Sequence, residues 1–334
     1  MLEKWIKETI STYSIDGLRL DAAKHVTPEF LPLFQKATGD SFLTGEVFDK
    51  SVQRICGYQD YLTSVPNYPI YFSILDAFTR GNTSSLPDQV EIMKHNCRDV
   101  TTLVMFSVNH DIARFASFKK DMDLAKNVLT FTILFDGITM IYQGQEQHLS
   151  GTHDLDNREA LWLSNYYTNA PLYKLIATLN TLRKHASQVD LEYLNTQTSP
   201  IFKGSSEMAF RKGREGRQVV MVLSTQGTSR SAYTAKVINR YQPAYIIIDV
   251  LTCDKYKVNE WGEIRLPMDK GEPRVLLPTD LMYGSGLCGY ERANVSSEDF
   301  GKRPSDDSAC WDAGWMMRSV LGSLGLIFLF TFIL

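Results

Sequence analysis

The chain has 334 residues, room for about two domains and a sizeable core. Its net charge is −3, with 22% charged and 11% aromatic residues and no basic run. That balance argues against a nucleic-acid partner and favours an ordinary globular protein.

Met1 to about Ser11 is charged and helical in period, with Leu2, Trp5, Ile6 and Ile10 expected on one face. It is not a signal peptide, because no apolar core follows its basic residues. The stretch Asp16-Gly17-Leu18-Arg19-Leu20-Asp21-Ala22-Ala23-Lys24-His25 then reads as a short strand running into a turn. Side chains alternate along a strand, so Arg19 and Asp21 share one face and Leu18 and Leu20 the other. A guanidinium beside a carboxylate favours the anionic form. By itself, R-x-D is usually no more than an ion pair at a strand end.

Two further strands end in acids. One covers Ser41–Val47 and carries Glu46; the other starts at Leu103 and closes on Asn109-His110-Asp111. Helices are predicted for Tyr71–Arg80, Leu86–Asn96 and Met122–Phe135. Gly137–Tyr142 is an apolar run suited to a strand buried on both faces, and Pro171–His185 is amphipathic. Three acids at the C-terminal ends of separate strands, in a chain alternating strand and helix, fit the catalytic rim of a (β/α)₈ barrel. From about Gln188 short β-rich runs alternate with Gly and polar turns: Met208–Arg211, Gln218–Leu223, Ala244–Val250, Ile264–Leu266 and Arg274–Leu277. That texture predicts an antiparallel β-sandwich.

The segments G-L-R-L-D-A-A-K-H, G-E-V-F-D and V-N-H-D, in this order, resemble three sequence regions of the α-amylase family of retaining glycoside hydrolases. N-Y-P-I-Y, I-Y-Q-G-Q-E-Q-H, N-R-E-A-L-W-L-S and P-R-V-L-L-P-T are most similar to fungal members, and the resemblance runs to about Cys288. It implies an α/β fold: strands 4 to 8 of a (β/α)₈ TIM barrel over 1–187, with strand 6 near Gln59–Pro69, then a C-terminal β-sandwich domain over 188–288. The family's barrel begins with three earlier strands, so the chain as given is expected to be incomplete.

The resemblance implies Asp21 as nucleophile, Glu46 as general acid and base, and Asp111 as the third acid, which holds sugar hydroxyls. It implies substrate contacts from Arg19, Lys24, His25, His110, Asp154 and Arg158, with Lys24 and His25 on the leaving-group side. Val108 stands where many relatives carry an acid. It also implies a structural Ca²⁺, with the backbone carbonyl of His25 as metal ligand. The expected reaction is endo-hydrolysis of α-1,4-glucosidic bonds in starch- or glycogen-type glucans with retention. The alternatives are a 4-α-glucanotransferase, which shares all three acids, and a non-catalytic glucan-binding cell-wall protein. A monomer with an α-glucan substrate is expected.

Five cysteines are spaced too widely for a short metal motif. In a secreted protein four of them would form two bridges, and the resemblance implies Cys56–Cys97 and Cys253–Cys288. Asn82 and Asn294 lie in glycosylation sequons. Residues 289–318 read as a polar linker, and 319–334 as an apolar tail shorter than the ~20 residues of a spanning helix. Small residues around Ser308, a spacer and that tail match a GPI-anchor signal, against a short tail anchor or a misplaced core strand. Cleavage there would remove Cys310 and leave an even number of cysteines. The expected location is the outer cell surface.

Overall fold

In the computed structural model, residues 2–39, 41–238, 241–292 and 331–332 are described. Asn294, Ser308, Cys310 and all but two residues of the apolar tail lie outside the described residues.

Helix α1 (Leu2–Tyr13) leads into β1 (Gly17–Leu20), then α2 (Phe30–Ala37) and β2 (Phe42–Gly45). Only part of the expected α1 face is used: Ile6 is buried and Ile10 packs against the core, while Leu2 and Trp5 remain exposed. The stripe is therefore an i, i+4 pair and not a broad face. After α3 (Val52–Gly57) come α4 (Tyr68–Arg80), α5 (Ser85–Asn96), β3 (Val104–Met105), α6 (Phe115–Phe118), α7 (Met122–Leu134), β4 (Ile138–Thr139) and α8 (Pro171–Val189).

Strands β1 and β2 are parallel, Leu18 opposite Leu43 and Leu20 opposite Gly45. The next rung is formed by residues 64–66. Ser64 N donates to Leu43 O at 3.1 Å and Val104 N donates to Val65 O at 3.1 Å, which joins β2 to β3. Strand β3 pairs in parallel with β4. Five parallel rungs thus follow each other in sequence order, as in a barrel wall. Residues Thr331–Phe332, β13 in chain order after the strands below, lie parallel to the other side of β1. Asn67 ends the middle rung and starts the next helix: its N–H donates to Val104 O, and its Oδ1 accepts from Ile70 N at 3.2 Å. A strand end that doubles as an N-cap leaves no backbone donor stranded at the joint.

The C-terminal part adds β5 (Ser199–Lys203), β6 (Glu207–Lys212), β7 (Val219–Ser224), β8 (Tyr233–Ile238), β9 (Ile246–Asp249), β10 (Lys255–Lys257), β11 (Glu263–Met268) and β12 (Arg274–Pro278). Six strands form one sheet in the order β10-β9-β12-β7-β6-β5, and β11 pairs with β8 in a second sheet. Strand β7 is buried on both faces, and its residues alternate between two cores. Val219, Met221 and Leu223 join the core that contains α7 and α8, while Val220 and Val222 pack with Ala235, Val237, Ile264 and Leu266 of the small sheet. The rings of Phe131 on α7 and Phe210 on β6 meet at 5.1 Å. A β-sandwich with a core of its own is the expectation from sequence alone. That core is present between the six-stranded sheet and β8/β11, and the other face of the same sheet is covered by barrel helices.

Polar contacts fix this junction. Lys212 on β6 reaches Asp136, at the start of the α7–β4 connection, at 2.5 Å. Asp136 also accepts from Thr198 N and Thr198 Oγ1, and Lys212 also donates to Thr196 O. Both charged side chains are essentially inaccessible, at 1% and 0% exposure. Burial pulls the Lys212 ammonium below the ordinary lysine range, against the pull of Asp136. Arg183 on α8 donates to the carbonyls of Phe135 and Gly137 at 2.7 and 2.6 Å, covering acceptors that the end of α7 leaves open. Disulfides join Cys56 to Cys97 and Cys253 to Cys288, the pairing implied by the resemblance.

Candidate active site

The parallel wall brings its functional groups together at the C-terminal ends of its strands. Arg19 projects from β1 with only 12% of its side chain exposed and bridges two carboxylates: Nη1 is 2.6 Å from Asp21 Oδ1 and Nη2 is 3.1 Å from Glu46 Oε2. Glu46 directly follows β2. Its N–H donates to Leu20 O at 2.8 Å, and Ala22 N donates to its Oε2 at 3.1 Å. Ala22 takes the left-handed conformation, φ 51°, which turns the chain after Asp21 and aims that N–H at Glu46.

The two carboxylates are not equivalent. Asp21 is 29% exposed and Glu46 15%. Burial, and then the neighbouring Asp21 and Asp111, push the Glu46 carboxyl above the ordinary glutamate range, against the Ala22 N–H and Arg19. Unequal surroundings of this kind separate an acid from an anion within one site.

Asp111 lies on the turn after β3. Its N–H donates to Asn109 Oδ1 at 2.9 Å, and Asn109 Nδ2 donates to the buried Tyr68 hydroxyl at 3.0 Å. His110 Nε2 stands 3.1 Å from Asp111 Oδ2. Burial, opposed by Asp111, holds the His110 ring below the ordinary histidine pKa. The distant segment 150–159 is stitched to this turn. Asn157 Nδ2 donates to the carbonyls of His110 and Ile112, and the buried Arg114 pairs with Glu159, which accepts from Ser150 N and Gly151 N. Arg158 thereby comes within 3.3 Å of Asp111 and 3.0 Å of Asp154.

Lys24 is the middle residue of the short helical turn Ala23–His25, and His25 beside it is exposed. Seven of the nine expected site residues therefore lie at the ends of β1, β2 and β3 or on the turns that follow them, and Arg158 and Asp154 are brought in by the 150–159 segment. Sequence reasoning missed Tyr68, Asn109, Asn157 and the Arg114–Glu159 pair, which hold these groups. Asn109 was legible, since Asn two residues before a turn residue commonly accepts its N–H.

Calcium wants six to eight oxygens. His25 offers one carbonyl, and among the described residues no group of three or more His, Cys, Asp or Glu side chains could hold a metal ion. No step below depends on calcium. Asn82 is exposed, with its amide 2.6 Å from Asp76 Oδ2.

A parallel barrel wall carrying an Arg-linked carboxylate pair and a third acid is an arrangement compatible with glycoside hydrolysis. The sequence profile "Alpha amylase, catalytic domain" matches residues 1–188, and "Alpha-amylase, domain C" matches 200–296. The chain belongs to the alpha-amylase family. It is 44% identical to "Alpha-amylase 1" of Lipomyces kononenkoae, over 86% of this chain and 46% of that protein. It is 38% identical to "Alpha-amylase 2" of Schwanniomyces occidentalis, over 86% of this chain and 56% of that protein. The solved α-amylase of Malbranchea cinnamomea is 42% identical and superimposes with a TM-score of 0.82, over 86% of this chain and 61% of that one. The chain spans about half the length of the curated relatives it matches.

Proposed function

We propose that this protein contributes the acid residues for retaining endo-hydrolysis of α-1,4-glucosidic bonds in starch- or glycogen-type glucans. The observation that carries this reading is the unequal carboxylate pair bridged by Arg19. Asp21, with the guanidinium 2.6 Å away, suits attack on the anomeric carbon. As that bond forms, the bond to the leaving oxygen breaks and Glu46 gives it a proton. Water then attacks the anomeric carbon of the glycosyl-enzyme and returns a proton to Glu46, which frees Asp21. Asp111, with His110 and Arg158 beside it, is placed to hold hydroxyls of the sugar and to oppose positive charge developing on the ring.

The sign of the pH dependence follows from Glu46. Its protonated form is the one that works in the first step, so kcat/KM on unactivated glucan should fall as pH rises through a value above the ordinary glutamate pKa. Glu46→Gln should lower turnover of glucan by about 10²–10⁴-fold. It should spare the first step for substrates with very good leaving groups, which need little protonation. Equal damage to both kinds of substrate would remove Glu46 from this role. Products longer than the substrate would replace hydrolysis by transfer, and glucan binding without turnover would leave only a binding role.

Two disulfides support an oxidising, extracytoplasmic setting. With the small residues around Ser308 and the apolar run after Val320, they support a GPI-anchored surface protein. Phosphatidylinositol-specific phospholipase C should then release it from membranes. A mature protein that retains Phe328–Leu334 would refute the anchor.

A further inference from the structure

One edge of the C-terminal part exposes more apolar surface than a solvated edge requires. Strand β10 is outermost in the six-stranded sheet, and Lys255 and Lys257 on it are exposed. Charged residues on an outer strand keep other strands from pairing with it, which accounts for those two lysines. It does not account for their neighbours. Ile246, directly across from Lys257, is 50% exposed, and Trp261, on the turn that follows β10, is 76% exposed. Tyr283 is 75% exposed. Its ring meets that of Tyr290 at 5.4 Å, and Lys255 Nζ lies 5.8 Å from the centre of the Tyr290 ring.

The turn holds its tryptophan in place. Asn259 Oδ1 accepts from Trp261 N at 3.0 Å and from Glu263 N at 2.8 Å, and Gly262 N donates to Asn259 O at 3.1 Å. Val258 ties the base of the turn to β9: its N–H donates to Tyr245 O and its carbonyl accepts from Ala244 N. An aromatic side chain carried on a fixed backbone loses little freedom on meeting a partner. Exposed Asp254 and Glu260 balance the two lysines, so the edge offers no net charge to a polyanion. Trp and Tyr beside an aliphatic side chain and lysines are the composition of a membrane interface, where rings enter the headgroup layer and ammonium groups stay at its phosphates. The chain also leaves the domain here. Arg292 lies beside Gly284 and Ser285, next to Tyr283. Ser308 is sixteen residues further on, a span of at most about 55 Å however it is arranged.

We propose that the β10 edge is a docking surface for a zwitterionic phospholipid bilayer. Trp261, Ile246 and Tyr283 enter the headgroup layer, and Lys255 and Lys257 meet its phosphates. The inference rests on the surface-anchor reading above, which keeps a bilayer within reach, and adds to it which face of the protein meets the lipid.

The test is hydrogen–deuterium exchange of the full chain, with and without phosphatidylcholine vesicles. It compares wild type, the double variant Trp261→Ser with Ile246→Ser, and Trp162→Ser, which removes a comparably exposed tryptophan of the barrel part. Vesicles should slow exchange several-fold in wild type over 242–247, 257–263 and 281–285. The double variant should lose this protection with an unchanged circular dichroism spectrum, and Trp162→Ser should keep it. Protection of 319–334 without the edge would mean that the tail meets the bilayer alone, and equal loss in Trp162→Ser would mean unspecific adsorption. Either result overturns the proposal. So would slowing of the same peptides by maltoheptaose and not by vesicles, which would make the edge a glucan-holding surface. Phospholipase C bears on the anchor alone. Release without protection of the edge keeps the anchor and overturns the docking; protection without release keeps the docking and refutes the anchor.

Discussion

Asp21→Asn is expected to lower glucan hydrolysis by several orders of magnitude while leaving the fold in place. The amide nearly matches the carboxylate in shape but is a poor nucleophile, so the glycosyl-enzyme does not form and the two-step path is closed. The substitution also removes the anion that faces Arg19 at 2.6 Å, leaving that guanidinium paired with Glu46 alone. The opposing carboxylate that helps push Glu46 up disappears with it, so the first-step acid weakens as a proton store too. Both consequences act on the same step. The measurement is single-turnover hydrolysis of a maltooligosaccharide alongside circular dichroism. Near-normal turnover with an unchanged spectrum would take the nucleophile role away from Asp21.

Asp136→Ala should be the most destabilising single change at the junction of the two halves. It strands the Lys212 ammonium at 1% exposure and removes the acceptor of Thr198 N and Oγ1. Breaking one partner of a buried pair costs about 3–5 kcal/mol, because the remaining charge has no water to turn to. In a chain of this size that is a drop in Tm on the order of 5–10 °C. The cation–π contact of Lys212 with Tyr193, 5.5 Å to the ring centroid, does not replace the lost anion. Replacing both partners, Asp136→Leu with Lys212→Met, should recover most of the loss, because no unpaired charge is then buried. Scanning calorimetry of the three variants decides it, and an unchanged Tm in Asp136→Ala would refute the argument.

The parts of this molecule legible in its sequence are those where local pattern and chemistry coincide. Arg19 and Asp21 are two apart on a strand, so alternation alone places them together. Glu46 and Asp111 end apolar runs of strand character, which locates them on the same rim. The middle rung was harder: residues 64–66 join the sheet through single bridges to Thr44 and Val104, too short a contact to impose a hydrophobic period. Strands β5, β8 and β10 were missed for a related reason. β5 and β10 lie at the edges of the large sheet and β8 belongs to the small covering sheet, where less apolar pattern is demanded. The stitching of Arg158 to Asp111 runs through Asn157, Arg114 and Glu159, residues brought together across more than forty positions. No window along the chain reports such a contact.

The doubly buried sheet bears on the order in which the polypeptide is made. Helices α7 and α8 precede every strand of the six-stranded sheet in the sequence. A ribosome therefore releases the surface that Met208, Phe210 and Met221 pack against before those residues emerge. Strand β8 follows β7 directly, but its partner β11 comes near the end, so the outer face waits longer for its cover than the inner one. Until β11 emerges, Val220 and Val222 on β7 lack the small sheet that covers them. It is there, and not at the helical layer, that a chaperone has most to shield.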